Sequence, residues 1–153
     1  MGLVFQVHTG LDQQERHPKH MVPILRRHPR TRFDLHHMWL PDVKETMNIG
    51  RQYDNAFINL AWCHRCSPTA TCTLMDLLLD HVPLHKTIAF GGDYRWEVET
   101  VYGELVMARE HLAAVLARRI EQREMTQAKA IAIAGQWFYD NAVEIYGLGK
   151  QRD

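Results

Sequence analysis

The chain has 153 residues, and 18 Lys plus Arg balance 18 Asp plus Glu, so its formal net charge is zero with neutral histidines. That balance gives no electrostatic basis for binding nucleic acid or an anionic membrane. No apolar run approaches the roughly 18 residues of a membrane span, and residues 1–10 lack the basic region and long apolar core of a signal peptide. Three cysteines, an odd count with no secreted framework, predict a reducing cytoplasm. Ten histidines are the unusual count, because histidine is the commonest metal ligand.

Leu3-Val-Phe-Gln-Val-His-Thr-Gly10 predicts a first β-strand closed by a glycine, with His8 near its end. Pro18 to His28 reads as a helix, with Met21, Ile24 and Leu25 on one side and Pro23 in its first turns or at a kink. The cluster Arg26-Arg27-His28-Pro-Arg30 is its solvated end, where cations favour the helix dipole. Arg32 to His37 predicts a second strand, with Trp39 and Pro41 in the loop after it. Asp42 to Gln52 reads as a helix facing Val43, Met47 and Ile49 inward.

Asn55 to Cys63 predicts a third strand. Ser67 as N-cap and Pro68 at the first helical position begin the next helix, whose apolar stripe is Leu74, Leu77, Leu78 and Val82. Thr87-Ile-Ala-Phe-Gly-Gly-Asp-Tyr94 is the fourth strand, an apolar run that delivers Asp93 to its C-terminal end. There Asp93 could be a metal ligand, a general base or a helix N-terminal acid. A long helix from Glu97 to near Gln122 places Val98, Val101, Leu105, Leu112 and Val115 at helical spacing. Thr126 caps a final helix with Ile131, Ala134, Phe138, Ala142 and Ile145 on one face, and Gly147 stops it. Gly135 lowers that helix's propensity, so packing must hold it. Met125 is placed to staple onto Ala130.

Strict strand–helix alternation with short apolar strands predicts an α/β fold with a parallel sheet. Four βα units make half of an eightfold barrel, or a small open sheet. No linker, low-complexity run or repeat divides the chain, so residues 1–153 read as one domain.

In a parallel sheet all strand C-termini share one face, so His8, His37 (or His36) and Asp93 converge although distant in sequence. Two imidazoles and a carboxylate suit zinc, manganese or iron. A lone histidine at a strand end is more often satisfied by a backbone carbonyl; three ligand-type residues on three strands favour a site.

The segments Val4-Phe-Gln-Val-His-Thr-Gly10, Phe33-Asp-Leu-His-His-Met-Trp-Leu-Pro41 and Phe90-Gly-Gly-Asp-Tyr94, with Tyr102-Gly103 beyond, closely resemble the amidohydrolase superfamily. The resemblance is strongest to its amidohydrolase 2 branch, which includes decarboxylases and uronate-isomerase-like proteins. Asp140-Asn-Ala-Val-Glu-Ile-Tyr-Gly-Leu148 resembles that family's C-terminal signature. The likeness covers nearly the whole chain but only the second half of the family's fold. It implies a half of a TIM-type (βα)8 barrel, four parallel units corresponding to strands five to eight, plus a C-terminal helix.

By the same resemblance His8 is a metal ligand, His37 binds metal or transfers a proton, and Asp93 touches the metal or its water as general base. His37 is preferred to His36 because the family places this histidine four residues before a proline, here Pro41. The implied activity is that of a metal-dependent hydrolase, with metal-activated water attacking an amide- or ester-like bond of a small molecule. The implied cofactor is one divalent ion, zinc first, with manganese or iron as alternatives. Decarboxylation or sugar-acid isomerisation is the alternative within the family. The family's first-strand His-x-His pair and its strand-four ligand have no counterpart here. The chain is therefore expected to be a fragment or one of two complementing chains, with weak metal binding and two raw sheet edges open to self-association. An inactive fragment is the bland alternative.

Trp62-Cys-His-Arg-Cys66 carries a second possibility, because W-C-x-x-C between a strand and a helix is how a thioredoxin-like redox site reads. Against it, Pro83 stands several residues before the last strand rather than just before it. Zinc on Cys63, His64, Cys66 and Cys72 lacks a second ligand pair to close the site. In the barrel reading Trp62 and His64 line the substrate pocket at the third strand's mouth. Arg95, in Arg95-Trp96, is placed to hold a substrate carboxylate.

Overall fold

Four parallel strands lie side by side in chain order: β1 (Val4–His8), β2 (Arg32–His36), β3 (Ala56–Asn59) and β4 (Thr87–Ile88). The computed structural model describes residues 3–10, 16–40, 43–95 and 97–149. Between the strands run α1 (Val22–Arg27), entered through a 3-10 turn at Pro18–Met21, and α2 (Lys44–Gln52). The one-turn α3 (Cys63–Cys66) leads into α4 (Pro68–His81). After β4 come α5 (Val98–Glu121), α6 (Gln127–Gly135), a wide π-type turn at Gln136–Asp140, and α7 (Asn141–Tyr146). Parallel neighbours require a crossover, and the segments carrying α1, α2 and α3–α4 supply the three.

Register decides which side chains share a face. His8 pairs with His36, and His36 with Asn59, so this layer points to one side of the sheet with Gln6 and Asp34 two residues below it. Phe33, Leu35 and Ala56 point to the other side and pack with Met21, Leu25 and Ile49 of the α1 and α2 segments. A larger cluster joins Ile58, Leu60 and Ala89 to Leu74 and Leu78 of α4, Leu112 of α5, and Ile133 and Trp137.

The two sheet edges are not equivalent. On β4's outer side Ala89 N–H donates to the Trp137 carbonyl at 2.9 Å, and Asn141 Nδ2 donates to the carbonyls of Thr87 (2.6 Å) and Leu84 (2.7 Å). The last helical segment thus caps this edge, so the expectation of two raw edges is corrected. The β1 edge carries exposed Leu3 and Phe5.

Two charged side chains are spent on helix ends. Buried Lys86 donates to the Gly50 and Tyr53 carbonyls at the C-terminus of α2, and Arg32 donates to the Glu144 and Ile145 carbonyls of α7. Such orphan carbonyls otherwise need water or a cap.

Several boundaries and faces differ from expectation. The third strand ends at Asn59 rather than Cys63, because a left-handed Trp62 (φ 64°) turns the chain into α3. Only Thr87–Ile88 of the fourth stretch is paired strand. Ser67 has extended N-cap geometry but no side-chain cap bond; its carbonyl instead accepts from Thr71 Oγ1. Val98 and Ile131 are exposed, and Leu77 lies at the surface. The buried face of the last segment is Ala130, Ile133, Trp137, Asn141 and Ile145, a stripe adjacent to the expected one and carried through the π-type turn. The Thr126 cap, with Oγ1 accepting from Lys129 N–H, and the left-handed Gly147 stop are as expected. Pro41, Asp42 and Trp96 lie outside the described residues.

Candidate metal centre

Three strand ends bring His8, His37 and Asp93 together. One ligand atom from each lies within 4.8 Å of the others, and among the described residues no other group of three His, Cys, Asp or Glu side chains does so. His8 closes β1. The turn after β2 makes His37, Met38 and Trp39 all left-handed, at φ 68°, 56° and 57°. Trp62 and Asp93 (φ 45°) are left-handed as well. Among the described residues, five of the six non-glycine residues with positive φ therefore sit just past the C-terminal ends of β2, β3 and β4. Each such conformation costs roughly 1–3 kcal/mol and survives where the surroundings enforce it, typically at a functional site.

Hydrogen bonds fix what each histidine can offer. A carbonyl only accepts, so His37 donates its Nδ1–H to Ala61 O at 2.8 Å. That leaves Nε2 as a bare lone pair, buried and without a hydrogen-bond partner. It lies 3.5 Å from Asp93 Oδ2, too long for a good hydrogen bond. Two donors about 2.0–2.1 Å from a tetrahedral zinc sit about 3.3 Å apart, close to this separation. The His8 and His37 rings are 4.3 Å apart between centroids. Burial lowers the pKa of His37, and the neighbouring imidazoles of His8 and His36 add to the effect, against the Ala61 carbonyl and Asp93. Burial and Arg16 lower that of His8, against the Gly10 carbonyl and Asp93. Both shifts favour the neutral ring, the form that ligates. The donor set fits a divalent ion.

Asp34 distinguishes the environments of His36 and His37. This fully buried carboxylate accepts at Oδ2 from His36 Nε2 (3.1 Å), Asn59 Nδ2 (2.9 Å) and the Tyr146 hydroxyl. His36 is thus engaged in a network on the inner sheet face, next to the cluster. Alternation alone would have favoured it, being in register with His8.

Around the cluster, the Trp62 ring lies 5.1 Å from His37 and 6.0 Å from Tyr94, and Arg65 stacks its guanidinium over Trp62 (5.3 Å) and Tyr94 (5.5 Å). A cleft of about 410 Å³ beside the cluster is lined by Trp62, Asp93, Tyr94, Arg95 and Glu97. Trp62 and Arg95, the expected substrate contacts, are on this cleft. His64 is not. Fully buried, it donates Nε2–H to Ala89 O at 2.8 Å and meets His111 Nδ1 at 3.1 Å, clamping α3 and α5 to the end of β4. A larger cavity, about 560 Å³, lies at the opposite strand ends beside Arg32, Asp54 and His85. In parallel α/β folds that end serves stability rather than chemistry.

Gly91 has a steric reason to be glycine, since a Cβ there would stand 2.5 Å from Asn59 Oδ1. At Gly92 a Cβ meets only ordinary contacts. The redox reading of the cysteines fails on burial: the Cys63 thiol is pushed well above its usual pKa, the reverse of what a reactive thiolate needs. Cys66 is exposed, Cys72 is half-buried, and all three are free.

Sequence reasoning missed Arg16, whose Nη1 donates to His8 Nε2 at 3.0 Å, and it missed Asp34 and Glu104. Glu104 had a signal, being an acid on the stripe shared with Ala108, Leu112 and Val115.

Comparison with known proteins agrees with this frame. A metal-dependent hydrolase assignment attaches to a Lactobacillus casei structure that superposes with TM-score 0.74 at 16% identity, over 97% of this chain and 39% of that one. Glucuronate isomerase from Caulobacter crescentus superposes with TM-score 0.72 at 20% identity, over 93% of this chain and 29% of that one. The chain thus spans well under half the length of either structure. No curated protein matches. The sequence profile of the amidohydrolase family matches residues 1–148, covering all four strand ends, and the chain belongs to that family.

Proposed function

We propose that the chain carries part of a metal-dependent hydrolase site, with its four βα units as the second half of an eight-stranded barrel. The observation that supports this best is the bare, buried Nε2 of His37 in a cluster with His8 and Asp93. His37 Nε2, one Asp93 oxygen and His8, whose Nε2 would have to give up the hydrogen bond from Arg16, would hold a divalent ion, zinc before manganese or iron. Such an ion supplies Lewis-acid charge that lowers the pKa of a water and polarises a substrate oxygen. Asp93, partly open to solvent, takes the proton from the attacking water with its other oxygen and returns it to the leaving group. With Nδ1–H tied to Ala61, His37 has no proton to deliver, which gives it a ligand's part rather than that of an acid. Trp62 and Tyr94 form an aromatic wall of the adjoining cleft, and Arg95 at its lip suits an anionic substrate group.

The glucuronate isomerase likeness supports a second reading, sugar-acid isomerisation on the same donors. The β1 edge is where a complementing chain or a second copy would add strands, with Phe5 at the join. The zinc-loaded chain assayed on amide, ester and uronic acid panels tests the choice. Amide or ester turnover abolished by Asp93→Asn is the expected result, and turnover of uronic acids alone would contradict it.

A further inference from the structure

Helix α5 carries one buried acid. Glu104 is 3% exposed, although its stripe otherwise runs through Ala108, Leu112 and Val115 into the core. Oε2 accepts the Tyr94 hydroxyl at 2.6 Å, while Oε1 is buried with no hydrogen-bond partner. A buried carboxylate is costly even when partly paired, so packing alone would favour an apolar residue here. Burial raises the Glu104 pKa and nearby Asp93 adds to this, against the Tyr94 hydroxyl and Arg65.

Tyr94, which Glu104 engages, stands beside the candidate centre with its ring 6.0 Å from that of Trp62. Tyr94 directly follows Asp93. Trp62 lies tilted against His37, and its own indole Nε1 is buried without a partner, so the ring is held by its contacts with His37, Tyr94 and Arg65. Asp93 and Trp62 are both left-handed non-glycine residues, which relax unless something holds them.

We propose that Glu104 is a positioning residue: through the Tyr94 hydroxyl, and through the Tyr94 ring against Trp62, it keeps Asp93 and His37 at ligand distance. The inference rests on reading His8, His37 and Asp93 as a divalent-metal site. A purely structural acid would change stability alone, whereas a positioning acid changes metal affinity in protein that remains folded.

Zinc is titrated calorimetrically into the full chain and into Glu104→Gln, Glu104→Ala and Tyr94→Phe, with folding checked by circular dichroism. Glu104→Gln keeps an acceptor for Tyr94 and stays within about threefold of the parent. Glu104→Ala and Tyr94→Phe each lose roughly 10- to 100-fold in affinity, the usual effect of removing a residue that orients a ligand. The double variant loses no more than either single one. Parent-like affinity in folded Tyr94→Phe overturns the proposal. If the parent itself binds no zinc, the metal reading fails separately, and the His37 ring resonances of the zinc-free chain decide. Their displacement in Tyr94→Phe but not in Glu104→Gln upholds positioning, and no displacement in either overturns it.

Discussion

Tyr146 donates its hydroxyl to Asp34 Oδ2 and accepts from Gln6 Nε2 at 2.9 Å, tying the last helical turn to the inner face of β1 and β2. Burial and the adjacent Asp34 carboxylate push the Tyr146 pKa up, so the hydroxyl stays protonated as a donor. Tyr146→Phe is expected to lower unfolding free energy by about 1–2 kcal/mol, because Asp34 loses a donor in a buried network. A urea-denaturation double-mutant cycle with Asp34→Asn should show a coupling above about 0.5 kcal/mol.

Acid should weaken the fold through His64. Burial holds its pKa down at about 4, with His111 adding to the effect against the Ala89 carbonyl. Unfolded histidine titrates near 6.5. Between those values the unfolded chain binds a proton that the folded chain refuses, so stability falls as pH drops from about 6.5 to 4 and is unaffected above. The loss is at most about 3 kcal/mol at 1.36 kcal/mol per unit. His8 and His37, also lowered, act with the same sign. Denaturation at pH 7 and pH 5 in parent and His64→Gln isolates the His64 share, which should vanish in the variant.

Thiol reactivity should separate the cysteines. In the native chain Cys66 reacts rapidly with a disulfide reagent and Cys63 only on unfolding, since Cys63 is 1% exposed with a raised pKa. Equal rapid labelling of both would revive a redox role.

Lys86→Met removes donors to two α2 carbonyls and leaves both under-satisfied in a buried setting. A loss of about 1–3 kcal/mol is expected by chemical denaturation.

The sheet and the strand-end convergence were legible because short apolar runs and intervening helical stripes survive in the letters. His8 and Asp93 could be placed this way. The sequence did not determine the role of His36, which depends on Asp34, or the burial of His64, which depends on His111 from a helix 47 residues away. Such pairings are tertiary and leave no local pattern. The Ile131 and Val98 errors have a different origin: on an alanine-rich or solvent-lapped helix two adjacent stripes are both apolar, and only packing selects between them. The capped β4 edge was missed because Asn141 reads as an ordinary polar helix residue until its two carbonyl partners are seen.

The central claim is that His37 presents a lone pair to a divalent ion shared with His8 and Asp93. Calorimetric zinc titration of the parent chain beside His8→Ala, His37→Ala and Asp93→Ala tests it most directly. One ion per chain is predicted, with each substitution weakening binding by more than about 100-fold, beyond the loss typical of supporting residues. Stoichiometric zinc binding that survives all three substitutions, or none in the folded parent, would contradict it.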